Sequence, residues 1–313
     1  MSKKLGQHFL INKAAIKKII AALDLSPSGR FPVGGQNNDT IIEIGPGKGA
    51  LTLPLVKQCQ VPSAKCQVIA IEKDKALAET LTRKSVNSNW KLEIIEGDAL
   101  KILPNLITNY RLLITDYKIV GNIPYYITGK LLRILGDLIT VPSGHLPQGD
   151  NYKLPITNIV LTIQREVAER ITAKPPRMNL LAAAIQFWAE PEIIGYLKPA
   201  DFSPSPKVDS AIMKLTPKKI TNYSRFFPKI EDPRSAILSE SGSGQLPTTN
   251  YYQLIKIIFK QPRKTLLNNL AVGLKLDKTK ALEIMKTAGL KGNERPQDLS
   301  LEKIHELLEF IYS

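Results

Sequence analysis

A strict alternation in the first half of the chain constrains the fold more than any other feature. Short apolar, β-branched runs occur at TIIEI (40–44), QVIAI (67–71), LEII (92–95), YKIV (117–120) and NIVLTI (158–163). Stretches with helical spacing, such as 74–84 and 127–137, separate them. Strand–helix alternation of this kind implies an α/β fold, a Rossmann-like parallel sheet covered by helices on both faces. Such sheets bind ligands beyond the carboxyl ends of their strands. An earlier helix is expected over 12–23, with Ala15, Ile16, Ile19, Ile20 and Leu23 on one face behind a capping Asn12. From residue 251 on there are only helical patterns, at 251–260, 262–274, 278–288 and 300–311. The expected division is therefore a sheet domain over 1–217 and a small all-helical domain over 218–313. Three stretches read as enlarged loops: 30–39, 141–155 and 231–250. The last is rich in Ser, Gly, Thr and Pro and reads as a flexible insertion.

Charge bears on the partner. The 313 residues carry a formal net charge of +15. Residues 219–313 hold 15 Lys/Arg against 10 Asp/Glu, so the excess is spread over both parts and not confined to a tail. A basic surface of this extent suits a polyanion, with nucleic acid ahead of a membrane. No stretch approaches a membrane span, and the start MSKKLGQHFL lacks the apolar core of a signal peptide. Cys59 and Cys66 give neither a disulfide framework nor zinc spacing, and His8, His145 and His305 lie far apart, so no metal is expected. The default is a soluble protein in a reducing compartment, the cytoplasm.

Three successive strand ends carry candidate ligand groups. EIGPGKGALT (43–52) turns from strand to helix through Gly45, Gly47 and Gly49, which lets a ligand approach main-chain atoms closely. Glu72 ends the next strand, 23 residues after Gly49, where a carboxylate can accept both hydroxyls of a ribose. Asp98 follows the third strand, placed to accept from an adenine amino group. Each has an ordinary alternative: a strand–helix turn, a solvated strand end, a helix N-cap. Taken together they point to one site for an adenosine-containing ligand. Gly-x-Gly-x-Gly spacing departs from the Gly-x-Gly-x-x-Gly of dinucleotide sites and tilts toward S-adenosylmethionine without deciding.

The fourth strand runs into GNIPYYI (121–127). Gly, Asn and Pro are common turn residues, but this order offers more. The Asn122 side-chain oxygen and the Ile123 carbonyl are two acceptors at the sheet's carboxyl edge, and Pro124 holds them by fixing its own φ and keeping Ile123 extended. Tyr125 adds a flat face on which a base can stack. Two acceptors for one exocyclic amino group, plus a ring over the base, make a receiver for adenine. Methylation of a weakly nucleophilic aromatic amine is then a matter of positioning and needs no strong general base.

Six blocks together carry a family resemblance: KKLGQHFL, EIGPGKGALT, EGDAL, GNIPYY, QREVAERI and FSPSPKVDSAI. The chain resembles the ribosomal RNA adenine dimethyltransferases, and within them those of the bacterial small subunit, from residue 3 to about 311. The resemblance implies a Rossmann-like S-adenosylmethionine-dependent catalytic domain with a helical, RNA-binding C-terminal domain. It also implies transfer of methyl groups to N6 of two adjacent adenosines in the 3′-terminal hairpin loop of small-subunit rRNA, by a monomer acting during ribosome biogenesis. It places cofactor contacts at His8, Leu10, Gly45, Gly47, Glu72, Asp98 and Asn122, with His8 where the family commonly has Asn. It assigns the transfer chemistry to Asn122, Ile123, Pro124 and Tyr125, and it brings Phe202, from a stiff Pro-rich loop, over the flipped adenine opposite Tyr125. The stretch 174–184 lacks the Tyr-Gly and Leu-Ser of many members.

For RNA, QPRKTLLNNL (261–270) is expected to begin a helix at Pro262, with Arg263 and Lys264 in the first turn. The helix dipole disfavours cations there, which suggests an external phosphate. Lys207 joins them as an RNA contact, and QREVAERI reads as a surface helix. Two alternatives are open. Macrolide-resistance methyltransferases of large-subunit rRNA share the same fold, whereas PKVDSAI and QPRKTLLNNL favour the small-subunit type. A short-chain NAD(P) oxidoreductase would use Tyr126 and Lys130, but the Ser that such enzymes need is missing from 111–116.

Overall fold

A computed structural model describes residues 7–25, 39–60, 66–86, 90–108, 117–140, 156–218 and 250–312. The three enlarged loops, apart from Asp39 and Asn250, lie outside the described residues. Strands and helices follow in the order β1 (Phe9–Leu10), α1 (Lys13–Ala22), β2 (Asp39–Ile44), α2 (Thr52–Cys59), β3 (Cys66–Glu72), α3 (Lys75–Ser85), β4 (Leu92–Glu96), α4 (Ala99–Thr108), β5 (Tyr117–Asn122), α5 (Thr128–Thr140) and β6 (Ile156–Gln164). Then come α6 (Arg165–Ile171), α7 (Leu180–Gln186), β7 (Ala189–Leu197), β8 (Phe202–Ser203), β9 (Ser210–Pro217), α8 (Asn250–Ile258), α9 (Leu266–Leu274), α10 (Lys278–Thr287) and α11 (Leu301–Tyr312).

Seven strands form one sheet in the order β4-β3-β2-β5-β6-β9-β7. The first five run parallel and β9 runs against β6. The inner parallel strands are largely apolar because helices cover both faces: Ile41, Ile42, Val68, Ala70, Ile119, Val120, Ile159 and Val160 are all fully buried. Chain order reverses between β2 and β5, so a crevice opens beyond their carboxyl ends, as doubly wound sheets require. Local caps set the helix starts. Asn12 accepts from the amides of Ala14 and Ala15, and Asp74 from those of Ala76 and Leu77.

The strands β7 and β9 were not legible in the sequence. β7 alternates exposed and covered positions and carries Glu190, Pro191 and Glu192, which mask a strand at the sheet's edge. β1 and β8 form a separate two-stranded ribbon, with Phe9 opposite Ser203 and Leu10 opposite Phe202. The expectation of unpaired cysteines is corrected: Cys59, at the end of α2, and Cys66, at the start of β3, are joined by a disulfide with a Cα–Cα distance of 4.9 Å. Two Cys seven positions apart in sequence carry no sign that a helix end and a strand start will meet.

The described residues divide into two compact units. One holds those up to Ile139, those from 156 to Ala168 and Pro191–Pro217; the other holds Thr140, Glu169–Glu190 and those from Lys218 onward. The units therefore do not follow a single cut at residue 217. α7 packs on α8, the Tyr251 phenol donates to the Ala183 carbonyl (2.9 Å), and the Phe187 and Tyr251 rings stack with centroids 4.0 Å apart. Tyr251, Leu254, Ile258, Leu270, Met285, Ile304 and Leu307 form the core of this second unit. Among the described residues no helix is long and apolar enough to cross a membrane, and no cluster of His, Cys, Asp or Glu is placed to hold a metal ion.

Candidate active site

The crevice at the switch point is an open cleft, about 880 Å³ when the space at its mouth is counted. The glycine turn after β2 forms one side. Gly45 and Gly47 have φ of +68° and +56°, a conformation that side chains resist. A Cβ on Gly45 would meet nothing within 4 Å, so the space above it is open to a ligand. A Cβ on Gly47 would lie 2.7 Å from the Phe9 ring. The turn is pinned by the Gly45 amide donating to Ile71 O (3.0 Å) and the Gly47 amide donating to Glu72 Oε2 (2.9 Å). Glu72 Oε1 accepts from the Asp74 amide (2.8 Å). Glu72 is thus a buried carboxylate that braces the turn while lining the cleft.

Asp98 also does two things. Its Oδ1 accepts from the Leu100 amide (3.0 Å) at the start of α4, and its Oδ2 pairs with Lys73 Nζ at 2.9 Å. Partial burial pushes this carboxyl up. The Lys73 hydrogen bond, the Leu100 N–H and the charges of Lys73 and Lys101 outweigh that and hold it below its usual value. The N-cap and ligand readings of Asp98 are therefore compatible.

Opposite these groups stands the end of β5. Asn122 Nδ2 donates to the His8 carbonyl (2.6 Å), which leaves Oδ1 as an acceptor with no protein partner among the described residues. The Ile123 amide donates to Thr162 O (3.1 Å), fixing the chain before Pro124. Tyr125 opens a short 3₁₀ turn, Tyr125–Ile127. Its ring lies at 28° to the His8 imidazole with centroids 6.2 Å apart, and its hydroxyl sits 2.8 Å from Ser210 Oγ. Asn122, Ile123, Pro124 and Tyr125 all line the cleft together with His8, Gly45, Gly47, Glu72 and Asp98. Residues from five stretches that span more than a hundred positions line one cleft.

Two expected site residues stand elsewhere. Leu10 and Phe202 are 2 % and 4 % exposed, belong to a core cluster with Ile19, Val160 and Ile212, and are not among the residues lining the cleft. The pairing of β1 with β8 sets Leu10 opposite Phe202, and both pack into that cluster. In this conformation Phe202 is a packing residue. A second correction concerns Arg263 and Lys264. Thr265, not Pro262, caps α9, accepting from the Asn268 amide, so both cations precede the helix in an exposed turn. The buried Asn269 holds that turn by bonding both the amide and the carbonyl of Gln261. Lys207 is exposed in its loop. Tyr126, half of the dehydrogenase-like pair, is 64 % exposed and lies before α5, not in it.

Several participants carry no signature in the sequence. Phe9 packs on Gly47 and lies under Lys48, whose Nζ is 4.8 Å from the ring centroid. Glu43 is buried in β2, and Ser210 opens β9. Burial first, and then the neighbouring Glu72 charge, raise the Glu43 carboxyl to about 7, against hydrogen bonding from Thr52.

A parallel sheet with one reversed strand beside its edge, a glycine turn at the switch point and carboxylates at the next two strand ends define a Rossmann-like methyltransferase. Solved structures with this fold include a dimethyladenosine transferase from Plasmodium falciparum (TM-score 0.65, 22% identity, 96% of each chain). The 23S rRNA methyltransferase ErmE is a second (TM-score 0.62, 21% identity, 97% of this chain and all of that one). The chain belongs to the family described as Ribosomal RNA adenine dimethylase, whose profile matches residues 1–229. It is 34% identical to Ribosomal RNA small subunit methyltransferase A of Dehalococcoides mccartyi strain CBDB1, over 97% of this chain and 86% of the relative. It is likewise 34% identical to the protein so named in Mycoplasma capricolum, over 99% and 97%, and 32% identical to that of Nostoc punctiforme, over 96% and 91%.

Proposed function

We propose that this protein methylates N6 of two adjacent adenosines in the 3′-terminal hairpin loop of small-subunit rRNA, twice each, with S-adenosylmethionine as donor. The single observation that carries this reading is the state of Asn122. Its amide nitrogen is committed to His8, and its oxygen is left as an acceptor beside the Tyr125 ring in the same cleft as Gly45, Glu72 and Asp98. The similarity to small-subunit methyltransferases over nearly the whole chain supports the choice of RNA over the large-subunit alternative.

The cleft fits the donor. The open space above Gly45 admits a ligand against the main chain, Glu72 is placed for ribose hydroxyls, and Asp98 for an adenine amino group. His8 completes the wall. When bound, the donor supplies an electrophilic methyl group. Everything else is positioning by this chain. The target amino group donates to Asn122 Oδ1 and to the Ile123 carbonyl, which hold its nitrogen at one place and angle. Positive charge develops on that nitrogen as it gains a methyl, and the two fixed oxygen dipoles stabilise it. The proton it then sheds goes to solvent through the cleft mouth. Tyr125 supports the base by stacking. Arg263, Lys264 and Lys207 contact RNA phosphates. The enzyme works as a monomer in the cytoplasm, where subunits assemble.

The test is to give the protein labelled S-adenosylmethionine with under-methylated small subunits, or with large subunits, and to map the modified adenosines. Label is expected in small-subunit RNA alone. Asn122→Ala should lower transfer by at least about a hundredfold while RNA affinity stays near that of the wild type. An equal loss of RNA binding would make Asn122 a structural residue.

A further inference from the structure

We propose that Ser210 is a positioning residue for this reaction: its buried hydroxyl holds the Tyr125 phenol and thereby fixes the ring plane against which the adenine lies. The inference rests on the functional reading above and adds to it a residue in another part of the chain, 85 positions from Tyr125.

The two partners differ in how firmly they are held. Ser210 is fully buried and opens β9, where it pairs with Gln164 of β6. The preceding residue is tied down as well. The Asp209 carbonyl accepts from the Arg165 amide (3.0 Å), and its carboxylate lies 3.5 Å from the Arg165 guanidinium and 3.2 Å from Lys198 Nζ. Tyr125, in contrast, belongs to a 3₁₀ turn with no buried residue, and its ring is only partly covered. The geometry gives a rigid post and a ring that needs one.

Anchoring at the phenol is effective for a simple reason. Rotation about the Cα–Cβ bond moves the hydroxyl further than any other ring atom, so a bond at the tip limits that rotation most. The phenolic O–H also prefers the plane of its ring, which biases the remaining rotation. The 2.8 Å contact to Ser210 therefore limits the swing of the ring and biases its plane. The second methyl transfer depends on this more than the first. A monomethylated amine has one N–H fewer to offer Asn122 and Ile123, so stacking carries more of its orientation. Loss of the Ser210 anchor should thus leave monomethylated product behind.

The experiment compares wild type, Ser210→Ala, Tyr125→Phe and the double variant in single-turnover methylation of under-methylated small subunits. N6-monomethyl- and N6,N6-dimethyladenosine are quantified by mass spectrometry, and S-adenosylmethionine affinity is measured by calorimetry. Each single variant should slow the second transfer by about tenfold, the equivalent of one hydrogen bond, and raise the monomethyl fraction with donor affinity unchanged. The double variant should be no slower than Tyr125→Phe, because both substitutions remove the same contact. Losses that multiply in the double variant, or a monomethyl fraction equal to wild type in both singles, overturn the proposal. Tyr125→Phe keeps the test decisive even if Ser210→Ala fails to fold: an unchanged product ratio in that variant alone is sufficient to reject it. Absence of methylated adenosine from the wild type is a separate result, and it overturns the functional reading instead.

Discussion

Glu43 sits in β2, 1 % exposed, one position before Ile44 and the glycine turn, and one of its oxygens has no hydrogen-bond partner. Burial and the Glu72 charge raise its carboxyl from 4.5 to about 7, so the folded protein keeps a proton there that the unfolded chain has released. The folded state binds more protons than the unfolded state between those two values, so this group withdraws stability as pH rises from about 4.5 to about 7. Above that window the loss is complete. Glu43→Gln removes the titration. Measured by urea unfolding, the variant should gain on wild type by about 3 kcal/mol between pH 4 and pH 8. A difference independent of pH would mean that the carboxyl ionises as freely in the fold as outside it. Residue types alone pointed to Glu72, Asp98 and Asn122, because strand ends of a parallel sheet collect ligand groups. They could not reveal that Glu72 and Asp98 spend hydrogen-bonding capacity on backbone amides, since both bonds depend on turns that exist only once the sheet is formed.

At the level of elements, the five parallel strands and the helices between them were readable because each strand carries a short apolar run, buried on both faces in all but the edge strand β4. The pieces that were not readable are defined by long-range partners. β1 and β8 are two residues each and owe their existence to a pairing across almost two hundred positions. That pairing seats Leu10 and Phe202 in the core. The disulfide is of the same kind: it joins α2 to β3 and closes a loop of eight residues. Loop-closure entropy assigns such a link about 2 kcal/mol. Reduction should lower the urea midpoint accordingly, and thiol titration of the unfolded, unreduced protein should find no free Cys. Two reactive thiols before reduction would show that the link is not formed.

The molecule as a whole is a strongly basic body with its excess charge in both sequence halves. RNA affinity should therefore fall steeply with salt, since each phosphate contact releases condensed counterions. Replacing Arg263 and Lys264 by Ala should flatten the plot of log affinity against log salt by about one unit per contact removed, with donor affinity unchanged in calorimetry. An unaltered slope would remove these two residues from the RNA surface. One wall of the cleft carries a consequence for synthesis. Residues 8–12 are seated by Asp201 and Pro204: the Ile11 amide donates to Asp201 O (2.9 Å), Asn12 Nδ2 to Asp201 Oδ1 (2.7 Å) and His8 Nδ1 to Pro204 O (2.8 Å). During synthesis residues 8–12 thus emerge almost two hundred positions before their seat at Asp201 and Pro204. That side of the cleft stays unfinished until the later segment has been made.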